Sequence, residues 1–127
     1  MAPAVKVLVV DDEPLIRWSL SEALEDRGFD VTVAADGRAA VRALSAAGRP
    51  PDVVLLDYRL PDSNGLSVFE EIRGLVPRGQ VILMTAYGTA DVISRALDLG
   101  AYRVVTKPFE LADVAEMIRH AHAATSS

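Results

Sequence analysis

Short runs of mainly branched apolar residues recur along this chain, and each run leads into an acidic, hydroxyl or amine residue. The four clearest runs lie at positions 5–10, 53–56, 81–84 and 104–105. They are followed by Asp11 and Asp12, by Asp57, by Thr85 and, one place later, by Lys107. Because ligand sites of open parallel sheets form at the carboxyl ends of the strands, we expect these side chains to lie together.

Apolar residues at helical spacing fill the segments between these runs. They recur in this way from Pro14 to Arg27, and Gly28 follows as a helix stop. Further helices are predicted at 38–47, 65–76, 89–99 and 110–123, and a further strand at 31–34. This fivefold alternation of strand and helix predicts an α/β fold whose parallel sheet is covered on both faces.

Composition narrows the class of protein. The 127 residues, 50% of them hydrophobic, suit one domain over 1–127, with a core at about 5–122 and a linker or frayed end at 123–127. A net charge of −5 disfavours binding to nucleic-acid phosphates. The sequence has no cysteine for disulfides, no signal-like start and no apolar run of membrane length. We therefore expect a cytoplasmic protein that binds neither nucleic acid nor membrane directly.

Four motifs in a fixed order carry a family resemblance. They read VVDDEP at 9–14, LLDYRLPDSNG at 55–65, MTAYG at 84–88 and TKPF at 106–109. Together they resemble the receiver domain of two-component response regulators, from Val5 to His122. MTAYG and the later Gly-Ala-Tyr at 100–102 are most similar to receivers of the nitrogen-regulation type, which are often joined to ATPases that activate the alternative nitrogen sigma factor. The resemblance implies a flavodoxin-like (CheY-like), doubly wound sheet of strand order 2-1-3-4-5.

The predicted cluster of acidic residues suits phosphoryl transfer to a carboxylate. Asp57 can attack a phosphoryl group as a nucleophile and form an aspartyl phosphate. Asp11, Asp12 and the phosphoryl group are also anionic, and each like-charged pair costs about 4 kcal/mol at 4 Å and an effective dielectric of 20. Magnesium would relieve this repulsion because it prefers oxygen ligands and binds carboxylates together with phosphate oxygens.

The resemblance assigns individual roles at this site. Asp12 and Asp57 would be direct magnesium ligands, the Arg59 carbonyl a third, and Asp11 a ligand through water. Lys107 would place a positive charge on one phosphoryl oxygen, and Thr85 would donate a hydrogen bond to another. Such a protein is a phosphoacceptor that catalyses only its own phosphorylation and dephosphorylation, so we do not expect an enzyme with other substrates.

Each of these residues also has an ordinary structural explanation. Asp11 and Asp12 could cap the first helix, Asp57 could be a turn residue, and Thr85 and Lys107 could be a plain strand end and a solvated amine. These explanations do not account for the coincidence of all of them at the carboxyl ends of different strands. The functional interpretation is therefore favoured.

Other classes of protein share parts of the pattern. An aspartyl-phosphate hydrolase would place its nucleophile and acid two positions apart after the first strand, where Asp11 is followed by Glu13, and it would need an extra cap segment. A flavin- or nucleotide-binding module would need a Gly- or Ser-rich phosphate loop at the same place, where Asp-Asp-Glu-Pro repels phosphate without a metal. A receiver-like interaction module that acts without phosphorylation is a third alternative.

The expected activation switch departs from the family pattern. In receivers the threonine moves toward the phosphoryl group, and an aromatic side chain three residues before the lysine turns inward. The face made by the fourth helix, fifth strand and fifth helix changes as a result. Here that position is Val104, and the nearest aromatic residue, Tyr102, is expected two residues earlier on the same strand face. We hypothesise activation through Thr85 and the 87–89 loop, with little aromatic switching.

Partners are implied mainly by the resemblance. A histidine kinase or phosphotransfer protein would dock over the first helix and the Pro108–Phe109 loop, where Trp18 is predicted to be exposed. An output domain or effector protein, or a second copy of the chain, would use the face of the fourth helix, fifth strand and fifth helix. Arg59 and Tyr87 would tune the lifetime of the phosphoryl group. The Lys107–Pro108 bond is expected to be cis, as in many receivers.

Overall fold

Five strands alternate with five helices in the computed structural model, which describes residues 4–46, 48–62, 66–86 and 88–126. The strands are β1 (Lys6–Val10), β2 (Asp30–Ala34), β3 (Val53–Asp57), β4 (Gln80–Thr85) and β5 (Arg103–Thr106). The helices are α1 (Pro14–Asp26), α2 (Gly37–Ala46), α3 (Ser67–Leu75), α4 (Ala90–Asp98) and α5 (Leu111–Ser126). Every predicted element is present. Among the described residues, no helix combines the length and apolar character needed to cross a membrane.

All five strands form one parallel sheet in the order β2-β1-β3-β4-β5. This confirms the predicted fold class and strand order. The register pairs Val10 with Leu56, and Thr85 with Thr106, so neighbouring strands end at nearly the same level. The sheet therefore presents one edge at which the residues that follow several strands can meet.

The core lies on both faces of the sheet. Leu8 and Val10 face a cluster of buried residues completed by α2, α3 and α4, whereas Val7 and Val9 face a second cluster completed by α1 and α5. Because the central strands are buried on both faces, their sequences are continuous apolar runs rather than alternating patterns.

Two local features differ from the sequence predictions. Tyr102 precedes β5 and packs against the cluster on the α1 and α5 side, whereas Val104 packs against the cluster on the other face. The prediction that these two residues share a strand face is wrong, because the two-residue alternation of a strand begins only at Arg103. In addition, α5 is helical to Ser126, through most of the segment predicted as a linker or frayed end.

Candidate functional site

Three carboxylates meet at the carboxyl edge of the sheet. Asp11 directly follows β1 and Asp57 is the last residue of β3, and these strands are neighbours. One carboxylate oxygen from each of Asp11, Asp12 and Asp57 lies within 4.8 Å of the others. Asp11 is fully buried and Asp57 is 5% exposed, while Asp12 is exposed. The predicted convergence of these residues is confirmed.

The backbone and side chain of Asp11 are held by several hydrogen bonds. Its amide donates to the Ala34 carbonyl at 3.1 Å, and its carbonyl accepts from the Arg17 guanidinium at 2.6 Å. Its Oδ1 accepts from the Glu13 amide at 2.9 Å. Glu13 is the N-cap residue of α1, and its side chain makes no capping hydrogen bond. Asp11 thus shapes the turn between β1 and α1 and does not act as a simple helix cap.

Lys107 brings a positive charge into this acidic cluster from the end of β5. Its Nζ donates to Asp11 Oδ2 at 2.9 Å, across 96 positions of sequence, and lies 3.4 Å from Asp57 Oδ2. Burial alone would lower the pKa of Lys107, but the hydrogen bond to Asp11 and the charge of Asp57 raise it above its usual value. The amine therefore stays protonated and pairs with both buried carboxylates.

The surroundings of Asp57 change its pKa. Burial and, next, the charge of Asp11 raise the pKa of Asp57 from 3.8 to about 6. The charge of Lys107 and the hydrogen bond from the Arg59 amide, at 3.2 Å to Asp57 Oδ1, act in the opposite direction and only partly offset the rise. A single ammonium group thus leaves the three-carboxylate cluster with excess negative charge.

The donor set fits a magnesium ion. Hard carboxylate oxygens are the ligands that Mg²⁺ prefers, and the ion usually keeps waters or phosphate oxygens in its remaining positions. Asp12 and Asp57 border an open depression of about 290 Å³ that leaves room for such ligands. Its lining residues are Asp12, Glu13, Asp57, Arg59, Ala86 and Lys107. The excess negative charge around Asp57 supplies the electrostatic attraction for a dication.

Thr85 ends β4 at the same edge. It is 1% exposed, and its carbonyl accepts a hydrogen bond from the Lys107 amide at 2.8 Å. The following loop passes close to β5, because a Cβ on Gly88 would come within 2.9 Å of Thr106 Oγ1. Tyr87, predicted to take part in switching and in phosphoryl lifetime, lies outside the described residues.

The predicted docking residues Pro108 and Phe109 directly follow the site residue Lys107, and Trp18 lies on α1. Trp18 is 62% exposed, as predicted from its position on α1, and Leu15 is 72% exposed. An apolar groove of about 530 Å³ runs between α1 and the segment after β5, and Pro108 and Phe109 form part of its wall. The Lys107–Pro108 bond is cis, which confirms the expectation from the resemblance.

Sequence reasoning missed two residues that hold the site loops. Arg17 bonds to the Asp11 carbonyl, as described above. The Asp62 carboxylate accepts hydrogen bonds from the Gly37 and Arg38 amides, both at 2.9 Å. These amide bonds hold the pKa of Asp62 below its usual value. An aspartate after a proline gives a signal for a turn, but no local spacing rule links it to a helix 25 positions earlier.

Comparison with known proteins identifies the family. The family model of the response regulator receiver domain matches residues 7–119. The chain belongs to this family. Receiver domains are phosphoacceptors of two-component signal transduction, they bind Mg²⁺ through acidic residues, and they interact with histidine kinases or phosphotransfer proteins and with output domains.

Individual relatives agree with this assignment. The regulatory protein AtoC of Escherichia coli is 39% identical over 116 residues, which are 91% of this chain and 25% of AtoC. Sporulation initiation phosphotransferase F of Bacillus subtilis is 32% identical over 114 residues, which are 90% of each chain. The structure of NtrX from Brucella abortus superposes with a TM-score of 0.87 at 30% identity, covering 97% of this chain and 28% of NtrX.

The relatives also include the receivers of nitrogen-regulation type that MTAYG predicted, among them NtrC and NtrX. The chain spans a quarter of the length of AtoC and about half of the length of several other curated relatives.

Proposed function

We propose that the chain is a single receiver domain over 1–127 that accepts a phosphoryl group on Asp57 from a histidine kinase or phosphotransfer protein. The observation that carries this proposal is the buried Asp57 carboxylate, which lies beside two further aspartates and 3.4 Å from the Lys107 amine. A buried carboxylate with a raised pKa and a cation next to it is typical of a functional site. The net charge of −5 supports a protein that does not bind nucleic acid directly. A cytoplasmic location without direct membrane binding is part of the same proposal.

Each residue of the site has its own role in the phosphoryl transfer. Asp12 and Asp57 would hold Mg²⁺ directly, with the Arg59 carbonyl as a third ligand and Asp11 acting through water. When bound, the ion neutralises the carboxylates and stabilises charge on the transferred group. An Asp57 oxygen forms the new bond to phosphorus while the phosphorus–nitrogen bond of a phosphohistidine breaks. Lys107 then binds one phosphoryl oxygen and Thr85 hydrogen-bonds another.

The protonation state of Asp57 sets the pH range of the reaction. Only the carboxylate form is a nucleophile, and the pKa of Asp57 is about 6 without metal. Phosphoryl acceptance should therefore rise with pH through this value. A dication would favour the ionised carboxylate and move the rise to lower pH.

The output side of the proposal depends on the loop after β4. Thr85 would move toward the phosphoryl group, and the close approach of Gly88 to Thr106 would carry this movement to β5. The face of α4, β5 and α5 would then change its affinity for an output domain, an effector protein or a second copy of the chain. Val104 on this face is partly buried but has no ring to rotate.

The kinase would approach over α1 and the segment between β5 and α5. Lys107 lines the apolar groove together with Pro108 and Phe109, so a phosphohistidine docked there would be close to Asp57. Trp18 is exposed on α1, which forms the other wall of this groove. Large exposed aromatic residues often anchor protein interfaces. Arg59 is exposed two residues after Asp57 and would influence the access of water, and hence the phosphoryl lifetime. The same role is proposed for Tyr87.

Intact mass spectrometry tests the acceptor reaction. The protein is incubated with magnesium and a small phosphodonor, beside an Asp57→Asn variant and a sample with chelator. We expect a gain of about 80 Da, one phosphoryl group, only in the wild type with magnesium. No gain with either a small donor or a kinase would favour a receiver-like interaction module that works without phosphorylation. Continuous release of phosphate from phosphomonoesters would instead indicate a hydrolase.

A further inference from the structure

The first turn of α2 is capped from two directions. Asp36, directly before the helix, accepts a hydrogen bond from the Ala39 amide at 2.7 Å. Asp62 accepts from the two preceding amides, those of Gly37 and Arg38, both at 2.9 Å. Asp36 is an ordinary N-cap because it belongs to the turn that it caps. Asp62 differs, because it belongs to the loop that follows β3.

Asp62 is connected to the acceptor site by a short and constrained segment. Only four residues separate it from Asp57. At the start of this segment the Arg59 amide donates to Asp57 Oδ1. Leu60 is 7% exposed and packs in the core beneath, and the ring of Pro61 fixes its own backbone φ angle. The segment is thus held at the acceptor carboxylate, at the core and at α2.

The turn before α2 also contacts the loop that carries Asp11. β2 ends at Ala34, whose carbonyl accepts from the Asp11 amide. The segment from Ala34 to Arg38 therefore contacts both loops that follow the strands of the buried carboxylates. The contact with Asp62 is also close, because a Cβ on Gly37 would lie 3.0 Å from a methyl carbon of Val68 and 3.1 Å from Asp62 Oδ1. A residue with a side chain would push this loop away from α2.

We infer that Asp62 is a positioning residue that couples the first turn of α2 to the acceptor site through its hydrogen bonds to the Gly37 and Arg38 amides. This inference rests on the proposed function. When Asp62 accepts its hydrogen bonds from α2, the loop after β3 keeps Asp57 beside the other two aspartates, in the arrangement that binds the cation. Binding of the cation in turn strengthens the hydrogen bonds between Asp62 and α2. The amino end of α2 thereby becomes a second surface that responds to the site, on the opposite side from α4, β5 and α5.

Coupling between the cation site and the first turn of α2 is reciprocal. The inference can therefore be tested both by magnesium affinity and by hydrogen exchange of the α2 amides. Replacing Asp62 by alanine should weaken magnesium binding by about fivefold, the low end of typical couplings. Magnesium should slow hydrogen exchange of the Gly37 and Arg38 amides in the wild type. Without metal, Asp62→Ala should speed exchange of the same two amides. Amide-resolved exchange by NMR measures the last two effects, and a magnesium titration followed by the signals of residues 11–13 measures the first.

The matched control is Asp36→Ala. It also removes a carboxylate cap from the first turn of α2, but from a residue outside the acceptor loop. We expect Asp36→Ala to speed local exchange and to leave the affinity for magnesium unchanged. Equal loss of magnesium affinity in the two variants would show that Asp62 acts only as a helix cap, and it would overturn the inference. Unchanged magnesium affinity in both variants would overturn it as well.

The two proposals fail in different ways. Wild type, Asp36→Ala and Asp62→Ala are each incubated with magnesium and a small phosphodonor, and their intact masses are compared. If the wild type gains no phosphoryl group with any donor, the proposed function fails and the inference fails with it. If all three proteins gain the group while Asp62→Ala binds magnesium as tightly as the wild type, only the inference fails.

Discussion

The metal-free acceptor site should destabilise the fold at neutral pH relative to acid pH, and Asp57→Asn should remove that cost. Folding raises the pKa of Asp57 from 3.8 to about 6, so the folded protein binds this proton more tightly than the unfolded chain. Below pH 3.8 the group is protonated in both states and contributes nothing. As pH rises from 3.8 to about 6, stability falls, and above this range the loss is constant.

The size of the effect follows from the shift. A rise of about two pKa units corresponds to about 3 kcal/mol of unfolding free energy, at roughly 1.4 kcal/mol per unit. Because Asp57 is only 5% exposed, solvent screening reduces this value little. Asparagine has nearly the same shape and no titrating proton. The unfolding free energy of Asp57→Asn minus that of the wild type should therefore increase by about 3 kcal/mol from acid to neutral pH.

Urea unfolding followed by circular dichroism, with chelator at a series of pH values, measures this difference. An Asp98→Asn variant is the control, because Asp98 is exposed at the end of α4, away from the site. Added magnesium should shrink the advantage of Asp57→Asn near neutral pH, since the ion stabilises the folded wild type by mass action. A difference that stays flat with pH, or that falls as pH rises, would refute the electrostatic reasoning.

Three further substitutions test separate parts of the structure. Lys107→Met leaves two buried carboxylates without their cation and should lower the unfolding free energy by about 3 kcal/mol near neutral pH, measured by urea unfolding. The control is Arg119→Met, which removes an exposed ion pair and should lower it by less than about 1 kcal/mol. Trp18→Ala should change stability by less than about 1 kcal/mol, but should slow phosphorylation by the kinase and not by a small phosphodonor. Val104→Ala should cost about 1 kcal/mol of stability and keep activation, measured as phosphorylation-dependent partner binding or dimerisation. Loss of activation at unchanged stability would show that the side chain itself carries the signal.

The fold and the acceptor cluster could be predicted from sequence because both depend on local patterns. A strand buried on both faces is a continuous apolar run, and its carboxyl end is visible as the first polar residue after that run. Asp11, Asp57 and Thr85 were placed correctly on this basis, and the parallel topology then brings them to one edge. The cis bond before Pro108 followed from the resemblance alone.

Features that depend on how distant segments pass each other were not predictable in this way. The contact between Asp62 and α2 is set by the path of a loop over a helix, and it leaves no periodic signal. The face occupied by Tyr102 depends on where β5 begins, and an error of one residue moves a side chain to the other side of the sheet. Helix ends were similarly uncertain, as the additional length of α5 to Ser126 shows.

The separation of Tyr102 from Val104 bears on how fast the proposed output can respond. A rotating aromatic ring can change sides within nanoseconds once its pocket opens, because a rotamer change involves only one side chain. Val104 has no ring, and Tyr102 lies across the sheet and cannot take its place. A signal that leaves the site through the backbone of the β4–α4 loop requires collective movement of a segment, on the microsecond to millisecond scale. Relaxation-dispersion NMR would then find exchange on this timescale at Gly88 and Thr89 in the phosphorylated protein.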